Sequence, residues 1–325
     1  MRPSLQALAG AQHGVFLRRQ ALECGYTDEE IRRLLRRGEW VRVRHGAYAE
    51  KSTLDAADET GRARLQVYAV ALVVDEPAVF SHGSAALLHR LPTWGSDLSR
   101  VHLTRPHLTS GRVVAGVGHH QASLHDSDHT VVDTLACTSL RRTPLDIARE
   151  HGFEAGVVVA DAALRAGADP DGMRALAEQM RRWPGARDVV PVAEFADAGG
   201  ESPGESLARI FVVSLGFPVP QTQVVFRDGG FVARVDMVID QIGLLVEFDG
   251  RGKYRRTRDD LDPAIDDANL VWAEKQREDT LRSLGHPMFR LVWADLFGSR
   301  RAETARRLWR RAEELGAPTS WPRAS

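Results

Sequence analysis

Apolar positions in the first fifty residues recur at spacings that change along the way. Over 5–9 and 17–24 they fall three and four apart, which predicts two short helices, the second stopped by Gly25. Thr27-Asp-Glu-Glu30 has the form of a capping box, with Thr27 accepting from the amide of Glu30 and the Glu30 carboxylate reaching back. A third helix is therefore expected over 28–37, ended by Gly38. Ile31, Leu34 and Leu35 share one of its faces, while Arg32, Arg33, Arg36 and Arg37 fall mainly on the other. After Gly38 the period becomes two. Trp40-Val-Arg-Val-Arg44 alternates apolar and basic, His45-Gly46 turns the chain, and Ala47-Tyr-Ala49 returns. Three helices followed by a hairpin predict a winged helix-turn-helix.

Two polar, breaker-rich stretches interrupt the pattern, one at 50–59 and one at Asp197-Ala-Gly-Gly-Glu-Ser-Pro-Gly204. They divide the chain into segments 1–55, 56–198 and 199–325. The middle segment is expected to be an α+β module. Helices are predicted over 63–74, after Ser81, from Thr143-Pro144, and over 153–166 and 171–182, with strands over 100–103, 112–117 and 129–132. In the last segment a helix follows Ser202-Pro203. Strands are predicted over 221–226, 232–239, 243–248 and 288–292, and a charged helix over 272–284. That order predicts a mixed sheet flanked by helices, and the whole chain is a multidomain α/β and α+β protein.

Composition narrows the classes. The chain has 325 residues, 43% hydrophobic and 27% charged, with a formal net charge of −1, so any partner must be read from local charge. Cys24 and Cys137 lie far apart, which argues against a disulfide scaffold and fits a reducing cytoplasm. No apolar run approaches the roughly 20 residues needed to span a membrane. A cytoplasmic protein is expected. Cys137 has no base at a recognisable spacing and is expected in the core.

Local charge points to DNA. Arg32, Arg33, Arg36 and Arg37 would project from the helix that enters a major groove, and Arg42 and Arg44 would sit on the wing near phosphates. Arginines solvating the outer face of a small helix is the alternative. Eight histidines crowd the stretch 82–129 of the middle segment, at 82, 89, 102, 107, 119, 120, 125 and 129. No known ligand spacing relates them, so solvated strand-edge histidines are expected rather than a metal site.

The last segment carries carboxylates. Asp236 lies within one predicted strand and Glu247 near the end of the next, with Asp249 on the same face as Glu247. Converging carboxylates repel unless a cation sits between them, and hard oxygen ligands suit Mg²⁺ or Mn²⁺. Glu205 could add a ligand, while Lys253 and Lys275 could position a phosphate or activate water. Strand ends followed by an Asp-Gly turn are the alternative to a site. The C-terminal arginines at 300, 301, 306, 307, 310 and 311 suit either phosphate contacts or a closing amphipathic helix.

Two resemblances follow from these residues. Gly14-Val-Phe-Leu-Arg-Arg-Gln-Ala-Leu22, Arg33-Leu-Leu-Arg-Arg-Gly-Glu-Trp-Val-Arg-Val43 and His45-Gly-Ala-Tyr48 resemble the N-terminal domain of the AbiEi family of type IV antitoxins. Ser81-His-Gly-Ser-Ala-Ala86 resembles that family's second domain. The resemblance implies operator binding, with double-stranded DNA and a cognate toxin or a homodimer as partners. Ser202-Pro-Gly-Glu-Ser206, Arg234-Val-Asp-Met237, Val246-Glu-Phe-Asp-Gly-Arg-Gly-Lys-Tyr254 and Trp272-Ala-Glu-Lys-Gln-Arg-Glu-Asp279 resemble the Vsr-like branch of the PD-(D/E)XK nucleases. That resemblance implies a restriction-endonuclease-like domain and metal-dependent cleavage of DNA. Asp236 and Glu247 would then be the ligands, with Glu205 in support. The chain departs from the pattern at Asp249, where the superfamily has lysine. The expectation is a DNA-binding protein with an endonuclease-like domain. The alternative is a non-enzymatic antitoxin-like repressor that keeps the nuclease fold.

Overall fold

The computed structural model describes residues 1–74, 78–228, 231–250, 281, 283, 285–318 and 321. Two compact units divide the chain, Met1–Phe195 and Ala196–Ser325.

The first unit begins with α1 (Pro3–Ala11), β1 (Val15–Leu17), α2 (Arg18–Glu23), α3 (Asp28–Arg36), β2 (Trp40–Arg44) and β3 (Ala47–Glu50). The capping box forms as the spacing predicts: the Glu30 amide donates to Thr27 Oγ1 at 3.2 Å and the Thr27 amide to Glu30 Oε2 at 2.8 Å. These bonds hold the Glu30 carboxyl below the usual carboxylate range. Strand β1 was not expected. Its three residues are all buried, so no alternation marks it, and it pairs with β3 to give the sheet order β1-β3-β2. Leu5, Phe16, Ala21, Ile31, Trp40 and Tyr48 fill the core beneath, with Phe16 edge-on to Trp40 at 4.7 Å. Helices, strands and hairpin together make a winged helix.

The opposite face of that sheet is not solvent. Val15, Leu17, Val43, Ala47 and Ala49 pack with Leu65, Val67, Phe80, Leu87, Leu103 and Cys137 in one continuous core. One core therefore runs across the break expected near residue 55, inside one packed unit. Its polar residues form α4 (Lys51–Asp55) and the cap of α5 (Glu59–Ala71), where Asp58 accepts from the Gly61 amide at 2.7 Å. The break expected near 198 falls close to the division between the units.

Beyond α5 come β4 (Val79–Phe80), α6 (His82–Leu88), β5 (Val101–Thr104), β6 (Arg112–Val114), β7 (Val117–His120), β8 (His129–Val132) and β9 (Leu135–Thr138). Helices α7 (Thr143–His151), α8 (Phe153–Arg165), α9 (Pro170–Met180) and α10 (Val189–Phe195) complete the unit. The six strands form a mixed sheet in the order β6-β7-β5-β4-β9-β8. The single strand expected over 112–117 is instead a hairpin. Ala115 and Gly116 turn at φ of +48° and +77°, which suits the right-handed twist of paired strands. Ala-Gly is not the usual Asn-Gly signal, so the sequence hides this turn. Its consequence is that β7 runs parallel to β5, with His102 opposite Gly118 and Thr104 opposite His120.

A buried charge network locks α7 to the sheet. Arg142 and Asp146 are fully buried and joined at 2.9 Å. Asp128, also buried, takes Arg141 at 3.1 Å and Arg142 at 3.8 Å, while Arg149 reaches Asp146 at 3.5 Å. The guanidinium groups of Arg142 and Arg149 lie 4.7 and 5.2 Å from the Trp183 ring.

The second unit carries α11 (Pro203–Ser214), β10 (Gln221–Asp228), β11 (Phe231–Ile239), β12 (Leu244–Asp249), β13 (Met288–Val292), α12 (Trp293–Leu296) and α13 (Arg300–Glu314). Its sheet runs β10-β11-β12-β13, antiparallel except for the parallel last pair. Helix α11 lies so close to β12 that a Cβ at Gly204 would stand 2.0 Å from the Phe248 ring. Asp295, buried, accepts from Arg300 and Thr304 and so fixes the start of α13. The helix expected over 272–284 lies almost wholly outside the described residues.

Removing one side of a buried ion pair strands the other charge, at a cost of about 3–5 kcal/mol. Asp146→Ala is therefore expected to lower the unfolding free energy of the first unit by that amount. Denaturant titration of the full chain checks this, and a loss below about 1 kcal/mol would contradict the role given to the network.

Candidate DNA interface and acidic strand pair

Helix α3 presents its arginines outward. Arg32, Arg33, Arg36 and Arg37 are all exposed, because Ile31 faces the core and pulls Leu34 and Leu35 partly in beside it. The acidic first turn of the helix is engaged locally: Asp28 pairs with Arg18, and Glu30 with Arg2 at 3.0 Å. Arg37 lies 3.7 Å from Glu39. Among the described residues Arg32, Arg36 and Arg42 have no ion-pair partner, which leaves them available to phosphate.

The wing departs from the expected alternation. A register shift between Arg42 and Arg44 buries both Trp40 and Val43 and leaves Arg42 exposed. Arg44 does not join it. Its guanidinium is half-buried, its pKa is pushed down by burial, and Nη2 donates to the Ala115 carbonyl at 3.5 Å. There it lines a groove of about 860 Å³ with Gln66, Leu98 and Gly116. The wing arginine expected at 44 is therefore directed toward the β6–β7 hairpin, and Arg42 alone remains on the outer face of β2.

The carboxylates of the second unit are placed as follows. Register pairs Met237 with Val246, so the next step sets Asp236 opposite Glu247 on neighbouring strands. Asp236 Oδ2 accepts from the Phe248 amide at 2.9 Å. Glu247 is buried, with Oε2 3.7 Å from Arg290 Nη2. Asp249 continues β12 on the face of Glu247. Glu205 lies at the start of α11. Its amide donates to the N-cap Ser202 Oγ at 3.2 Å, and its carboxylate accepts from Ser202 Oγ at 2.8 Å, the Glu201 amide at 2.9 Å and Gln223 Nε2 at 3.2 Å. Lys253 and Lys275 lie outside the described residues. Among the described residues no three of the expected acidic ligands bring their oxygens within 4.8 Å of one another. Asp236 and Glu247 meet an amide and a guanidinium at the contacts given above.

Of the C-terminal arginines, Arg301 donates to the Leu296 carbonyl and Ser214 Oγ and lies over Phe211, so it closes the unit rather than facing a ligand.

Of the eight histidines expected at solvated edges, His107 and His125 are exposed and His129 lies on the edge strand β8, but those at 82, 102 and 120 gather inside the unit. His82 and His102 are buried, and both rings approach His120. Burial holds the pKa of His82 well below the usual value, with neighbouring His120 and His102 adding to the shift. His102 is pushed down to about 4 by burial and then by His120, and burial also lowers His120. Burial raises the Glu150 carboxyl beside them. Cys137 is buried, and burial pushes its thiol up to about 12. His89 Nε2 stands 3.6 Å from its sulfur but donates its proton to the Thr138 carbonyl at 2.8 Å, so it offers that thiol no base.

An exposed, arginine-bearing helix on a winged helix is an arrangement that DNA-binding domains share. Residues 4–51 match the family described as "Transcriptional regulator, AbiEi antitoxin". Two proteins described as uncharacterized, from two strains of Mycobacterium tuberculosis, are each 28% identical over 229 residues, covering 69% of this chain and 78% of the relative. No described helix is long and apolar enough to cross a membrane.

Glu205→Ala would leave the Glu201 amide and the Ser202 hydroxyl without their acceptor, at about 1–3 kcal/mol. Denaturant unfolding should register that loss while duplex-DNA affinity stays within twofold of wild type. Unchanged stability would remove the role given to these bonds.

Proposed function

We propose that the chain is a DNA-binding transcriptional regulator of the antitoxin kind, with α3 in a major groove and β2–β3 as the wing over the adjacent backbone. One observation carries the reading: Arg32, Arg33 and Arg36 of α3, Arg37 at its C-terminal cap and Arg42 of the wing stand exposed on the same winged helix. The family match over that stretch supports it. Arg32, Arg33, Arg36, Arg37 and Arg42 supply phosphate and base-edge contacts, and Arg44 braces the wing from behind. A cognate toxin, or a second copy reading a palindrome, is the partner that such a regulator would have. The second unit, with its parallel last strand pair and flanking helices, supports a reading as a nuclease-derived module that serves without hydrolysis.

Losing phosphate contacts flattens the salt dependence by about one unit of slope per contact. Arg32→Ala/Arg36→Ala should therefore weaken duplex binding at least tenfold at 0.1 M salt and lower the slope of log K against log salt by about 2. Fluorescence anisotropy with promoter-derived duplex reads both. Wild-type affinity and slope in the double variant would refute the placement of α3.

The hydrolase alternative has its own readout. Supercoiled DNA incubated with the protein and Mg²⁺ or Mn²⁺ is expected to remain intact. Nicking by the wild type that vanishes in Asp236→Ala and Glu247→Ala would replace the regulator reading with an endonuclease.

A further inference from the structure

His82 opens α6, His102 lies on β5, His120 ends β7 and Glu150 lies near the end of α7. Each offers one ligand atom, and the four atoms all lie within 4.8 Å of one another. We propose that His82, His102, His120 and Glu150 form a site for one zinc-class divalent cation, bound through three imidazole nitrogens and one carboxylate oxygen.

The distances fit that coordination. Zinc held tetrahedrally at about 2.0–2.1 Å from each ligand sets the ligand atoms about 3.4 Å apart. His102 Nδ1 lies 2.9 Å from His120 Nε2 and 3.5 Å from Glu150 Oε2, values that bracket that separation. The widest pair, at most 4.8 Å apart, would close by about 1.4 Å, a movement within reach of side-chain rotation.

One further feature points to a ligand. Gly118 stands directly opposite His102 in the β5–β7 register. A Cβ there would stand 3.5 Å from both His102 Nδ1 and His120 Nε2, so glycine keeps clear the space those two nitrogens border. Three imidazoles and a carboxylate are gathered here, with Ser81 Oγ 3.0 Å from His82 Nδ1, where it would orient that ring, and His151 Nε2 3.7 Å from Glu150 Oε2. A cation would replace the contact between His102 Nδ1 and His120 Nε2 as the partner of both nitrogens. The donor set selects its class, because imidazole suits Zn²⁺ and its first-row neighbours, whereas Mg²⁺ and Ca²⁺ prefer oxygen alone. Neutral imidazole is the binding form. Once bound, the ion would tie α6 and α7 to the two strands between them.

The full-length chain, stripped with a chelator, is the material for the test. Zn²⁺ titrated against a chromophoric competitor should show one equivalent bound. Glu150→Gln should weaken binding at least tenfold, His120→Asn should abolish it, and His125→Asn/His129→Asn should leave it intact. Zn²⁺ should raise the melting temperature of the wild type and of the His125/His129 control but not of His120→Asn, since a ligand stabilises only the state it binds. Co²⁺ serves as a second probe that needs no variant: the wild type should show the strong visible absorption of four-coordinate cobalt. Absence of stoichiometric Zn²⁺, weak six-coordinate cobalt bands, or wild-type affinity in both Glu150→Gln and His120→Asn would each overturn the site.

Discussion

A fully buried guanidinium sets the terms for the first unit. Arg142 has no access to water, so its charge must be met inside the protein, and Asp146 and Asp128 meet it from α7 and from the turn before β8. Neither carboxylate is tolerable alone at that depth, which makes the set all-or-none. Trp183 covers the network, and Arg149 attaches to it from one turn further along α7. The histidine cluster is built against the same helix: Asp146 and Arg149 both act on His120, and Glu150 follows Arg149 in sequence. Fixing α7 on the sheet therefore also fixes the place where the rings meet.

That unit gives the winged helix an anchored base. One face of the β1-β3-β2 sheet holds α1, α2 and α3, and the other contributes Val15, Leu17, Val43, Ala47 and Ala49 to the core of the middle region. Helix α3 is thus mounted on a sheet buried on both sides. The bulge in β2 belongs to this arrangement, since it turns Val43 into the core and brings Arg44 to the Ala115 carbonyl while Arg42 stays outside.

In the second unit acidic side chains serve structure wherever their contacts are described. Glu205 and Asp295 both accept from backbone or hydroxyl donors at helix starts, and Asp236 accepts from the Phe248 amide. Asp236 and Glu247 lie one step beyond the last paired residues of β11 and β12, and each meets a hydrogen-bond donor from the protein.

Local interactions were legible in the chain itself. The Thr27–Glu30 box, the outward arginines of α3 and the hairpin after Gly38 depend on residues within a few positions of one another, so their spacing suffices. The same logic would have found the Ser202 cap on the Glu205 amide. What tertiary structure decided is everything that joins distant segments. Strand β1 is buried on both faces and shows no period, and the Ala115-Gly116 turn carries no familiar signal. Without that turn β7 does not exist, and nothing in the spacing of His82, His102, His120 and Glu150 suggests a meeting. Parallel pairing of β5 with β7 brings two of them side by side, and the packing of α6 and α7 delivers the others. A sequence shows which side chains can bind an ion or a phosphate, but only the register of its strands shows which of them share one.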